Sequence, residues 1–212
     1  LHQDIEFSPP KHAFSCRIRF RKNNAETHNL LREGLFRRRS EAGIRFKYNP
    51  NTQLGFECNL RDEKEKKKFF TGNRQDRNIN RTHVSISSSF RPRQKLKLGL
   101  QLKREAAVNS AGAGDIRAVS YFFVPQVQFA FQRKGNLRLE LETGIIRSDP
   151  EGAVLVYEML NGDQPGKTVR GSLLFTYRIS SHVQATCSYR TRHEPWREKL
   201  YQTGQVEVRA FF

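Results

Sequence analysis

Residues 95–103 read KLKLGLQLK, and the fold turns on how this stretch is read. Leu96, Leu98, Leu100 and Leu102 fall on one side of an extended chain, with Lys95, Lys97, Gly99, Gln101 and Lys103 on the other. Strand side chains alternate between two faces, so a period of two marks a strand and not a helix. The leucine row needs an apolar surrounding and the lysine row needs water. Such a strand divides two media.

The same alternation runs through most of the chain. Phe14, Cys16, Ile18 and Phe20 oppose Ser15, Arg17, Arg19 and Arg21, and Ala42, Ile44, Phe46 and Tyr48 oppose Gly43, Arg45 and Lys47. Leu54, Phe56, Cys58 and Leu60 stand against Glu57, Asn59 and Arg61, and Val84, Ile86 and Phe90 against His83, Ser85, Ser87 and Ser89. In the second half the apolar sets are Val127, Phe129 and Phe131, then Leu137, Leu139 and Leu141, then Val169, Leu173, Phe175 and Tyr177, then Val183, Ala185, Cys187 and Tyr189. The closing GQVEVRAFF adds Val206, Val208, Ala210 and Phe212. These make about ten strands, most of a length that crosses a bilayer when tilted.

Composition taken alone points elsewhere. The 212 residues carry a net charge of +17 and a pI near 10.3, with low mean hydropathy. Those values suit a nucleic-acid binder or a partly disordered chain. Neither explains an apolar face repeated over about ten strands. No apolar run is long enough for a transmembrane helix. The chain starts LHQDIEFSPP, without Met or an apolar leader, and reads as a mature or excised piece. Cys16, Cys58 and Cys187 lie far apart, each among the apolar members of an alternating run, and read as small hydrophobes.

The connections carry a second signal. NPNT, RPRQ, RKGN and SSH are tight turns by their chemistry. Between them lie long polar segments: NNAETHNLLREGLFRRR, DEKEKKKFFTGNRQDRNIN, EAAVNSAGAGD, SDPEGAVLVYEMLNGDQPGK and TRHEPWREKLYQ. Short and long connections alternate, as in a meander with short turns at one end and large loops at the other. Aromatics on the apolar face gather near the tight-turn end: Phe14, Tyr48, Phe90, Phe131 and Tyr177 form the expected girdle.

With these features the sequence resembles bacterial outer-membrane β-barrel proteins. The resemblance in layout covers nearly the whole chain. It implies an all-β fold, an antiparallel up-and-down transmembrane β-barrel of about ten strands, with residues 1–212 as one barrel domain or a C-terminal barrel segment. It also implies an assembly signal at Gly204, Val206, Val208, Ala210 and Phe212, a location in the outer membrane, and contact with membrane lipid and the barrel-assembly machinery. The last strand is expected to pair with the first.

The inward face is unusual. Arg17, Arg19, Arg21, Arg45, Lys47, Lys95, Lys97, Arg138, Arg170 and Arg178 are expected to line the lumen, joined by Arg61, Lys103, Arg190 and Arg209. Only Glu57, Glu140, Glu142 and Glu207 oppose them on the same runs. A narrow barrel crowded with uncompensated cations costs several kcal/mol per ion. Either the lumen is wide and wet or another segment supplies acids. DIEFSPPKH reads as the end of an earlier strand entering a Pro-Pro turn, which makes this the closing part of a larger barrel. A signal peptide immediately upstream of Leu1 would dismiss that expectation.

Chemistry-bearing residues are sparse. His83 and Ser85 share a polar face, but a Ser–His hydrolase needs an orienting group and an oxyanion donor that no motif identifies. The acids of DEKEKKK and HEPWRE read as solvated loop charge. AGAGD lacks the Lys-Ser/Thr of a phosphate loop. Neither a metal nor a cofactor is expected. EKEKKKFF reads as a solvated cationic loop able to touch lipopolysaccharide phosphates. The expected role is a non-enzymatic pore, transport or surface-binding scaffold with a cationic lumen that favours anionic solutes. The rival is a soluble basic β-sheet that binds nucleic acid, separated by detergent dependence.

Overall fold

The structure, a computed structural model, describes residues 2–7, 9, 13–28, 34–69, 76–110, 114–131, 134–195 and 200–211. Eleven antiparallel strands form one sheet in sequence order: β1 His2–Phe7, β2 Phe14–His28, β3 Gly34–Tyr48, β4 Leu54–Phe69, β5 Arg77–Arg93, β6 Leu96–Asn109, β7 Ile116–Phe131, β8 Gly135–Asp149, β9 Gly166–Arg178, β10 Val183–His193 and β11 Tyr201–Ala210. The up-and-down meander is as expected, and β1 is the strand foreshadowed by DIEF. One helical turn, α1 (Tyr157–Leu160), lies between β8 and β9.

Register keeps every apolar row on one face. Phe14 sits opposite Tyr48, which sits opposite Phe56; Ile18 sits opposite Ile44, which sits opposite Leu60. A one-residue slip would exchange the faces, so the alternation itself fixes the pairing. Burial then sorts the faces in the reverse of a soluble protein. Ile86, Leu102, Leu139 and Phe46 are exposed, whereas Glu63, Glu65, Ser85 and Ser120 are buried. The sheet curls with its polar face inward. Cys16, Cys58 and Cys187 are free thiols on the outward face.

At the tight-turn end the outward rings touch one another. Phe129 meets Phe131 edge-on at 4.8 Å between centroids, Phe131 meets Phe175 at 6.0 Å, and Phe175 stacks on Tyr177. Phe14 stacks near Phe46, and Tyr48 near Phe56. Phe90 lies across from Leu54 and Leu98.

Two expectations need correction. The long connections are largely strand: β2 runs to His28, β4 to Phe69 and β6 to Asn109, well past their apolar rows. Cross-strand polar and ionic pairs continue the ladder where apolar ones stop. The connection expected over 148–167 stays mostly outside the sheet, at 150–165 between β8 and β9. The seam is the second correction. Among the described residues β1 pairs only with β2 and β11 only with β10, so those edges are not paired to each other.

Candidate functional site

The most developed part of the inward face lies beneath the 150–165 connection, which folds back across the sheet. Its sequence explains the path. Residues 153–160 read AVLVYEML, too apolar to stay in water. Leu155, Met159 and Leu160 are buried against Ile79 of β5, Ala107 of β6, Ala118, Phe122 and Val124 of β7, and Ile146 of β8. The turn is stitched internally. The Leu155 N–H donates to Gln164 Oε1 at 3.2 Å, and Gln164 Nε2 donates to the Leu155 carbonyl at 3.1 Å. Asn161 ends α1 in the left-handed region at φ 55°, a conformation asparagine tolerates well, and the Gly162 N–H donates to the Tyr157 carbonyl.

Charge finishes the docking. Glu158 accepts from Lys67 Nζ at 2.8 Å and pairs with Arg77, while Arg81 donates to the Glu158 carbonyl at 2.8 Å. Burial alone would raise the Glu158 carboxyl. The hydrogen bond from Lys67 and the charges of Lys67 and Arg77 outweigh it and hold the group below the usual carboxylate range. Asp163, at the far end of the loop, pairs with Arg170 and, at 3.1 Å, with Arg192. There burial wins over both guanidiniums, with Glu142 adding to it, and the carboxyl is raised.

Beside the loop, charged side chains of β3, β4 and β5 enclose a cavity of about 360 Å³. Arg37 pairs with Glu65 at 2.8 Å, Arg39 with Glu63 at 2.5 Å, and Arg61 with both Glu41 and Glu63 at 3.0 Å. Arg81 bridges Glu63 and Glu65. Glu65 is only 2% exposed, so this is a compensated network and not a row of bare cations. Next to it a smaller recess of about 230 Å³ is lined by Arg19, Arg21, Asn23, Arg39, Glu41 and Arg61.

The expected lumen residues are placed as follows. Arg17 and Arg19 reach Glu6 and Asp4 of β1, so the opening segment does supply acids. Arg45 and Lys47 share Glu57, Arg138 pairs with Glu140, and Arg170 holds Glu142 and Asp163. Lys97 faces inward beside Gln101 and Gln126, without an ion pair among the described residues. Lys95 sits in the β5–β6 turn and Arg178 ends β9. Lys103 pairs with Glu142 at 2.8 Å. Of the closing-strand residues, Gly204, Val206, Val208 and Ala210 share the outward face of β11, and Phe212 lies outside the described residues.

His83 does have an acidic neighbour. Glu105 lies directly opposite on β6, with Nδ1 and a carboxylate oxygen 2.9 Å apart. No sequence motif marks this partner, because only the register reveals it. Among the described residues, no hydrogen bond joins His83 to Ser85, so the arrangement lacks the nucleophile–base contact a hydrolase needs. No cluster of three His, Cys, Asp or Glu suited to a metal occurs among the described residues.

No family model matches the chain, and no curated protein matches it. Solved structures do. The outer-membrane expressed OmpT of Vibrio cholerae is 6% identical with a TM-score of 0.59, over 99% of this chain and 64% of that one. The chain has the fold of an outer-membrane barrel wall. It spans under two thirds of that protein's length. A NanC porin is 7% identical with a TM-score of 0.48, over 100% of this chain and 98% of that one. A KdgM porin in complex with disordered oligogalacturonate is 8% identical with a TM-score of 0.40, over 100% and 96%.

Proposed function

We propose that the chain builds the wall of an outer-membrane barrel that passes or holds anionic solutes, without catalysing a reaction on them. The supporting observation is the inward face of β2–β4. Arg19, Arg21, Arg39 and Arg61 line one recess that contains a single carboxylate, Glu41, and Lys97 projects into the same interior lower down. Guanidiniums and ammoniums in a water-filled pore favour anions. Pairing with Asp4, Glu41 and Glu63 keeps the interior foldable and leaves a positive excess.

The docked 150–165 loop narrows this interior from one side. Its outer surface, Val154 and Tyr157, stays exposed. A solute crossing the wall's interior meets charged side chains on β3–β5 and the loop opposite them. The exposed apolar rows on the outer face support a lipid surround, since an apolar face of this extent in water would drive aggregation.

Reversal potential in planar bilayers tests the reading. The wild-type barrel is expected to prefer anions under a salt gradient. Replacing Arg17, Arg19 and Arg21 together by Gln is expected to move the reversal potential toward zero. An unchanged potential would count against a cationic passage.

A further inference from the structure

The inward network has a counterpart on the outer face of the same strand, and its makeup suggests a partner. In residues 63–66, EKEK, the strand period separates charge by sign. Glu63 and Glu65 turn inward and are buried, whereas Lys64, Lys66 and Lys68 turn outward and are exposed. Register adds a fourth cation. Arg38 of β3 is exposed and lies directly opposite Lys66. Arg38, Lys64, Lys66 and Lys68 make no ion pair among the described residues. The nearest outward acid on β4 is Asp62, which accepts a hydrogen bond from Thr82.

Like charges directly opposite one another destabilise a strand pair. Among the described residues no ion pair offsets them, although acids are plentiful one residue away on the other face. The patch also has a defined height. It begins just beyond the apolar outward row Phe56, Cys58, Leu60 on β4 and Tyr48, Phe46, Ile44 on β3, on the loop side of that row. Lysine stems can lie along the apolar wall while their ammoniums reach the polar zone above it.

We propose that Arg38, Lys64, Lys66 and Lys68 form a docking site on the outer wall for the phosphate groups of an outer-leaflet glycolipid. The inference rests on the membrane reading of the apolar rows given above. Four donors spread over two adjacent strands suit a headgroup that carries more than one phosphate. Phosphate oxygens accept from ammonium and guanidinium groups in charge-assisted hydrogen bonds. The acyl chains of the same lipid would lie on the apolar row immediately below.

The test uses the folded barrel in nanodiscs of zwitterionic phospholipid, doped either with bis-phosphorylated lipid A or with its dephosphorylated form. Retention of the lipid is read by native mass spectrometry. The wild type is expected to retain the phosphorylated form selectively. Replacing Lys64, Lys66 and Lys68 by Gln is expected to weaken retention by about fivefold per lysine, on the order of a hundredfold in all. An Arg93→Gln control, at the opposite rim, is expected to retain lipid as the wild type does. Heat-modifiable gel migration confirms that each variant is folded. A milder Lys66→Gln variant keeps the test open if the triple variant fails to fold. Equal retention of both lipids, or full retention by the lysine variants, overturns the site. Competition by millimolar inorganic phosphate alone would show that the site takes free phosphate and not a lipid headgroup, which also overturns it. Loss of folding in nanodiscs altogether would refute the membrane reading.

Discussion

Met159 offers the sharpest test of the docked loop. Its side chain is 1% exposed and packs with Leu155 and Leu160 against the inward residues of β5–β8. Truncating a buried methionine to alanine costs about 2–5 kcal/mol, the spread reflecting how far the site collapses. The loop sits at a rim and can settle into the space, so the low end applies, about 2 kcal/mol. At 1.4 kcal/mol per tenfold, Met159→Ala multiplies the undocked fraction roughly thirtyfold. Chymotrypsin reads that fraction directly, because Tyr157, Met159 and Leu160 offer cleavage sites whose backbone is held in place only while the loop is docked. When opening and closing are fast, the nicking rate follows the open population. Folded wild type and Met159→Ala should therefore differ by about thirtyfold in the rate of cleavage within 150–165. Val154→Ala, at a position 81% exposed, should leave the rate unchanged. Equal rates for Met159→Ala and wild type would refute the docking.

Other outcomes follow from the same contacts. The Glu158 carboxyl is held low, so its stabilisation of the docked loop is complete above the ordinary carboxylate pKa and disappears as pH falls through the lowered folded value. Nicking of the loop should accelerate at acid pH in wild type, and Glu158→Gln should show the faster rate already at neutral pH. Asp163 has the opposite sign. Its raised carboxyl favours the docked state below that value and disfavours it as pH rises, so Asp163→Asn should loosen the loop less than Glu158→Gln at neutral pH. Gly144 lies under the Phe122 ring, and a Cβ there would also stand 2.6 Å from the Tyr121 carbonyl oxygen. Gly144→Ala should lower barrel stability by about 1–3 kcal/mol in urea unfolding followed by gel migration.

Much of the fold was legible because each run states its own period. The lysine–leucine alternation of 95–103 and the mirror run at 137–141 specify strand, face and register together. What the sequence hid was hidden for physical reasons. In residues 62–68 every residue is charged, and over 63–66 the alternation is of charge sign and not of polarity, so an apolar count ended the strand at Leu60 when β4 runs to Phe69. In 153–160 the apolar signal was present, yet it lay in a stretch flanked by Asp, Gly and Pro and read as a solvated loop. Its receptor was less visible still. Phe122, Val124 and Ile146 are apolar residues on the otherwise polar face, and FFV at 122–124 breaks the alternation only because both faces are apolar there. Of the candidate site, Arg19, Arg21, Arg61 and Arg170 were read as inward, whereas Arg37, Arg39, Lys67, Arg77 and Arg81 fell in or beside segments read as loops, and most of the acidic partners were hidden too. Glu41, Glu63, Glu65 and Glu158 come to the arginines through register and through the folded-back loop.

The unpaired edges bear on how the barrel closes. An open strand edge in hydrocarbon leaves backbone donors and acceptors unmet at several kcal/mol each. Cysteines placed at Ile5 of β1 and Val206 of β11 should cross-link within one chain if the edges meet in the membrane. They should stay separate if further strands complete the ring.

The orientation of the two faces can be measured residue by residue. Nitroxide labels at Leu98, Gly99, Leu100 and Gln101 of β6, in lipid bilayers, report collisions with oxygen dissolved in hydrocarbon and with a water-soluble nickel chelate. Labels at 98 and 100 should favour oxygen and those at 99 and 101 should favour nickel, out of phase along the strand. Nickel access equal at all four positions would contradict a lipid-facing leucine row, and with it the barrel wall as described.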